Sequence, residues 1–195
     1  CSSDLRRKTL KEEIQETMRL ANRISRISVS QTMMVNEKAL QMRAQGVDIV
    51  DFGAGEPDFP TPQNIKGAAI KAIESNFTRY TSIGGTPELR KAIVESHARL
   101  FGSKYDVAEC LVNVGGKHAI FNTVSAVIDE GDDVLIPSPY WVSFADIARY
   151  SGGRTVFAET REEEGFRLTA EAIEKAITPK TRLLIANSPN NPSGA

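Results

Sequence analysis

Three short segments carry residue types that could do chemistry. Val114-Gly115-Gly116-Lys117-His118 joins an apolar run to a helix-like stretch. Two glycines let the main chain approach a ligand closely. A helix start adds free N–H groups and the positive end of a dipole, so the combination suits an anion, most naturally phosphate. A tight strand-to-helix turn with Lys117 in solvent has the same spelling, and both readings stay open. Tyr140-Trp141 follows Pro139 at the exit of another apolar run. An aromatic there could stack on a flat ring, although a lone Trp is first of all a core or interface residue. Asn187-Ser188-Pro189-Asn190-Asn191-Pro192-Ser193-Gly194 is dense in turn formers. An Asn amide offers both donors and acceptors and could hold a ring oxygen, while in isolation the segment reads as a surface turn.

Nucleotide patterns do not fit these glycines. A nucleoside-triphosphate loop needs Gly five residues before Gly116, where Leu111 stands, and Ser or Thr after the Lys, where His118 stands. The dinucleotide pattern fails as well, because Gly53-Ala54-Gly55 is followed by Asp58 in place of the third glycine. A phosphate carried by something other than a nucleotide fits better. The two histidines, His97 and His118, have no cysteine close by, so a zinc site is not expected. Cys1 and Cys110 are too few for a disulfide framework.

The elements that must position these segments follow from periodicity. Leu10, Ile14, Met18, Ala21 and Ile24 make a helical stripe over 8–27. Ser30 is placed to cap a helix through Arg43. Val47–Phe52 is a strand candidate. Between it and the next helix, Gly53 to Pro62 holds three prolines and two glycines, an extended passage that marks a boundary between packing units. Helices are expected from Pro62 to about Asn76 and after the Thr86-Pro87-Glu88 start, with Leu89, Ile93, His97 and Leu100 on one face. From there strands alternate with helices. The strands are Cys110–Val114, Asp133–Ile136, Arg154–Ala158 and Arg182–Ala186; the helices follow Gly116, cover about 140–150, and run from Thr169 to Thr178. That alternation implies an α/β fold with a parallel sheet covered on both faces, in which ligands sit at the carboxyl ends of the strands. The three odd segments fall at those ends.

Composition bounds the function classes. Of 195 residues, 41% are hydrophobic and 25% charged, an ordinary globular balance. Lys and Arg number 24 against 25 Asp and Glu, which argues against a general nucleic-acid binder. No membrane span or secretory signal is visible, so the cytoplasm is expected. The chain opens on Cys and closes inside a turn-like stretch, and a piece of a longer protein is expected.

Taken in order, the segments resemble the amino-terminal half of a class I aminotransferase, a fold-type I enzyme that uses pyridoxal 5′-phosphate. The likeness is to the bacterial branch of aspartate and prephenate aminotransferases. It rests on Ala54-Gly55-Glu56-Pro57-Asp58-Phe59, Thr78-Arg79-Tyr80, Gly84–Arg90, Val114-Gly115-Gly116-Lys117, Ser138-Pro139-Tyr140-Trp141-Val142-Ser143 and Asn187–Ala195. The resemblance implies roles. Gly115, Gly116 and Lys117 would bind the cofactor phosphate, and Trp141 would stack on the pyridine ring. Asn191 would bond the ring hydroxyl oxygen. Gly55 would meet the substrate carboxylate through its backbone, with Trp141 and Asn191 lining the same substrate site. Tyr80 would reach the phosphate in a partner subunit, implying a homodimer with shared active sites. Thr32 would lie in the segment that folds over substrate. The Lys that forms the Schiff base, the Asp on the pyridine nitrogen and the Arg that binds carboxylate would all follow Ala195, so the chain alone is expected to be inactive.

The resemblance also divides the chain into 1–60, an amino-terminal segment with part of a small domain, and 61–195, the first part of the large cofactor-binding domain. Prephenate-using relatives tend to carry a Lys and a Pro shortly before the Thr. Here Ile27-Ser28-Val29-Ser30 has neither, which lowers the case for prephenate and leaves aspartate, aromatic or other donors open. The rival readings are a carbon–sulfur β-lyase on the same scaffold and a non-catalytic, phosphate-binding α/β module.

Overall fold

The structure, a computed structural model, describes residues 19–53 and 55–195, without the side chains of Gln31 and Thr32. Three parallel strands form its sheet, β1 (Asp133–Ser138), β2 (Arg154–Glu159) and β3 (Thr181–Leu184), in the spatial order β2-β1-β3. β1 is the middle strand. Its Val134-Leu135-Ile136 run is buried completely, as a strand covered on both faces requires. Val134 and Ile136 face Val124, Ile128, Phe144 and Ala148, while Leu135 alternates to the opposite face. Burying each of these aliphatic side chains is worth about 1.5–3 kcal/mol.

The helices come from signals close to those expected. Helix α1 (Gln31–Ala44) begins where Ser30 Oγ accepts from the Met33 amide at 3.3 Å. Helix α2 (Gln63–Glu74) follows Pro62. Helix α3 (Pro87–Phe101) carries Pro at its first position and is capped by Thr86 Oγ1, which accepts from the Leu89 amide at 3.3 Å. Helix α4 spans Gly116–Val127, α5 spans Val142–Tyr150, and α6 spans Ala170–Ala176 behind a Thr169 cap. His97 packs its ring against Phe101 and Tyr105, at centroid distances of 4.7 and 5.5 Å.

Three expected elements are absent or different. Val47–Phe52 is not a strand: among the described residues no strand pairs with it, and Val50 and Phe52 are largely exposed. Cys110–Val114 is extended at Cys110 (φ −105°, ψ 127°) but forms no strand, because the Val112 amide bonds a loop carbonyl, that of Gly84, at 3.0 Å. An extended segment becomes a strand only with a ladder partner. The stripe over 8–27 lies outside the described residues up to Met18, and its later part is a 3₁₀ turn, Asn22–Arg26.

The described residues group into two compact units, 19–28 with Ile120–Ala195, and Val29–Ala119. The grouping is drawn elsewhere than the expected division at Pro60. One reason is local: Ser28 Oγ lies 3.2 Å from both Asp146 carboxylate oxygens, and Arg23 stands over the Tyr150 ring, so residues 22–28 pack on α5.

A single buried charge ties the starts of the three strands. Asp133 is fully buried. Arg154, at the start of β2, donates to both its carboxylate oxygens at 2.7 Å. The hydroxyl of Thr178, just before β3, donates to the same carboxylate. The Arg154 and Thr178 hydrogen bonds hold the Asp133 carboxyl down to about 2, against the usual 3.8. A lowered folded-state value means that the carboxylate stabilises the fold above the unfolded value and loses that contribution as pH falls through the folded one. Asp133→Asn should therefore cost about 1–3 kcal/mol near neutral pH. In urea titrations, the gap between wild type and variant should close as pH drops from about 4 to about 2. A gap unchanged across that window would remove Asp133 as the titrating group.

Candidate functional site

In the unit that holds the sheet, the loops after the strands are held together by hydrogen bonds. The Thr160 amide and hydroxyl, beyond β2, both donate to the Ser138 carbonyl at the end of β1, at 3.1 and 2.7 Å. Tyr140 stacks on Phe157 with centroids 4.9 Å apart and planes 12° from parallel. Beyond β3, Asn190 turns back: its Nδ2 donates to the Pro139 carbonyl at 3.0 Å and to Ser193 Oγ at 2.8 Å. The backbone closes the same turn, with Gly194 N–H to the Asn190 carbonyl and Asn190 N–H to the Ala195 carbonyl, both at 2.7 Å. A cavity of about 470 Å³ lies here, between Pro139, Thr160, Arg167, Asn187 and Asn190.

Of the expected site residues in this unit, Trp141 sits at the N-cap position of α5, half-buried, with its ring edge-on to Phe144 at 5.4 Å. Asn191 is exposed in the turn that Asn190 anchors. The Asn190–Pro139 bond thus brings the segments carrying Trp141 and Asn191 to neighbouring places beyond the carboxyl ends of β3 and β1. Neither residue lines the cavity. The residue that sequence reasoning missed is Asn190. Nothing in Asn190-Asn191-Pro192 separates two adjacent amides by type; only the fold aims one of them at a carbonyl 51 residues away.

The other expected residues belong to the unit of Val29–Ala119. Gly115 has φ +83°, a backbone region that residues with a Cβ rarely enter, and its carbonyl accepts from the Ala119 amide at 3.2 Å as α4 begins. A Cβ at Gly115 or Gly116 would meet nothing within 4 Å, so the main chain there is open to close approach. The Gly115 amide is turned to the Asn113 carbonyl at 2.9 Å, and the 12-residue helix that starts at Gly116 presents the kind of open helix start that an anionic group fits. Tyr80 is fully exposed on the loop between α2 and α3. Gly55 is exposed with open space around it. Thr32 lies in the first turn of α1, its side chain outside the described residues. Among the described residues no cluster of three or more His, Cys, Asp or Glu could hold a metal, and no helix is long and apolar enough to cross a membrane.

A parallel sheet with its ordered loops beyond the strand ends places the chain among the α/β proteins, in which ligands bind at the carboxyl ends of the strands. The family described as aminotransferase class I and II matches residues 47–195, and the chain belongs to it. "Aspartate/prephenate aminotransferase" of Nitrosomonas europaea is 48% identical over 178 residues, covering 91% of this chain and 45% of that protein. "Aspartate aminotransferase" of Geobacillus stearothermophilus is 45% identical over 177 residues, again 91% of this chain and 45% of the relative. The solved aspartate aminotransferase from Thermus thermophilus with maleate superposes at a TM-score of 0.87 and 47% identity, over 90% of this chain and 46% of that one. The fold is therefore fold type I, and the chain spans about half the length of the relatives it matches.

Asn190→Ala would leave the Pro139 carbonyl without its partner and should cost about 1–2 kcal/mol in thermal or urea denaturation. The Gly194 amide should exchange faster in the same variant. Asn191→Ala should leave both readings at wild-type values; an equal loss in the two variants would mean that Asn190 is not the anchor.

Proposed function

We propose that this chain forms part of a pyridoxal 5′-phosphate-dependent aminotransferase of the cytoplasm, which moves an amino group from aspartate or a similar amino acid to a 2-oxo acid and works as a homodimer. The observation that carries the reading is the open Gly115-Gly116 pair at the start of α4 in a chain of the aminotransferase family. Curated relatives bearing the aspartate aminotransferase name favour aspartate over other donors.

The bound cofactor would supply an electron sink for the bond broken at the substrate α-carbon. The chain's own residues bind and orient. The helix start at Gly116 and the charge of Lys117 would hold the phosphate end, and Gly115, whose own amide is turned to the Asn113 carbonyl, would let the main chain approach it closely. Trp141 would cover the pyridine ring. Asn191 would donate to the ring oxygen and so tune the ring as an electron sink. Gly55 offers its backbone to the substrate carboxylate, close approach being possible because no Cβ intervenes. Thr32 lies on the helix start that closes over substrate. Tyr80, exposed on its loop, reaches the phosphate held by a second copy of the chain.

The test is cofactor titration and turnover in the complete protein. The protein should bind pyridoxal 5′-phosphate, seen as a new absorbance band, and form oxaloacetate from aspartate when a 2-oxo acid is present. Gly115→Val places a branched side chain at positive φ in the phosphate loop and should weaken cofactor binding about tenfold or more. Unchanged affinity in that variant would dismiss Gly115 as part of the phosphate site. Ammonia and pyruvate in place of a new amino acid would point to a lyase.

A further inference from the structure

The segment that leads into Gly115 is not part of any sheet, yet it is fixed. Arg90, half-buried in the first turn of α3, donates through Nε to the Cys110 carbonyl at 2.8 Å and through Nη2 to the Val107 carbonyl. Both acceptors are main-chain oxygens of the segment approaching the glycine pair. The loop before α3 grips the same segment from its own backbone, where Gly84 C=O accepts from the Val112 amide at 3.0 Å. Gly85, at φ +101°, has to be glycine here, because a Cβ would stand 2.5 Å from Val112 Cγ2. Thr86 then caps α3 and fixes the helix from which Arg90 projects.

These contacts make residues 84–90 and 107–112 one braced element. Only Asn113 and Val114 separate it from Gly115, and the Gly115 amide already bonds the Asn113 carbonyl at 2.9 Å. A planar, permanently charged guanidinium fixes the spacing of two carbonyls in a way that a flexible ammonium cannot. A loop outside a ladder otherwise has many backbone conformations to choose from, and a ligand would have to order it on binding.

We propose that Arg90 is the positioning residue of the phosphate loop: by clamping the Val107 and Cys110 carbonyls it holds the Gly115 turn, and with it the helix start at Gly116, ready for the phosphate end of the cofactor. The inference rests on reading Gly115–Lys117 as that loop. Arg90 touches neither cofactor nor substrate; its effect passes through the backbone of 107–114.

The test compares two ligands that differ only in the phosphate. Wild type, Arg90→Lys and Arg90→Met of the complete protein are each titrated with pyridoxal 5′-phosphate and with pyridoxal. In Arg90→Met the affinity for pyridoxal 5′-phosphate should fall about tenfold while that for pyridoxal stays within about twofold. Arg90→Lys, which keeps the charge but not the fork, should fall between. Equal losses for both ligands would make Arg90 a general structural residue, and no loss for either would overturn the clamp. If Arg90→Met fails to fold, the ratio of the two affinities in Arg90→Lys decides by the same criterion. A wild type that binds both ligands equally would overturn the phosphate-loop reading itself, a result distinct from selectivity that is present in wild type and unchanged in the variants.

Discussion

The buried carboxylate of Asp133 is the constraint on which the sheet depends. A charge taken wholly out of water has to be paired and hydrogen-bonded. Its partners come from the two strands that flank β1: the guanidinium of Arg154 from β2, and the Thr178 hydroxyl from the residues before β3. Backbone bonds repeat the arrangement, with the Asp133 amide to the Lys180 carbonyl at 2.8 Å and the Arg154 amide to the Asp132 carbonyl at 2.7 Å. Parallel strands have no hairpin turn to set their register. Here a polar knot at the amino ends does it, aligning Asp133 with Arg154 and with Thr181.

Fixing one end of parallel strands fixes the other. Once the amino ends are aligned, the chain must leave β1, β2 and β3 on the same side, and its turns meet there. Thr160 then satisfies the Ser138 carbonyl, and Asn190 satisfies Ser193 Oγ and the Pro139 carbonyl. These bonds pair polar groups at a place where an irregular chain has no ladder to pair them. Catalytic loops gain precision from such support, since a ligand pays less to order what is ordered already.

The unit of Val29–Ala119 reaches order by another route. With no ladder among its described residues, its loops are held by side chains bonding to backbone: Asp106 and Glu109 in a capping box, Thr86 and Ser30 at helix starts, Arg90 on two carbonyls. The caps satisfy amides at helix starts, and Arg90 satisfies carbonyls of the extended segment that a neighbouring strand would have satisfied. The glycine pair at the start of α4 inherits its place from that bracing.

What the amino-acid sequence determined by itself were the features whose cause is local. Capping at Ser30, Thr86 and Thr169, the apolar run of β1, the alternation of strand and helix after Phe101, and the glycine pair before α4 all come from residues within a turn or two of one another. Tertiary structure decided what depends on a distant partner. Val47–Phe52 and Cys110–Val114 have strand-like residues but no ladder among the described residues, so neither is a strand. Asn190 and Asn191 are the same amide until the fold sets Pro139 beside one of them. Arg90 reads as one more cation on a helix until residues 107 to 110 are brought under it. Asp133 reads as a strand-edge carboxylate until Arg154 and Thr178 enclose it. Propensity and capping act over a few residues, while pairing and burial need groups far apart in the chain, and only the folded backbone says which ones meet.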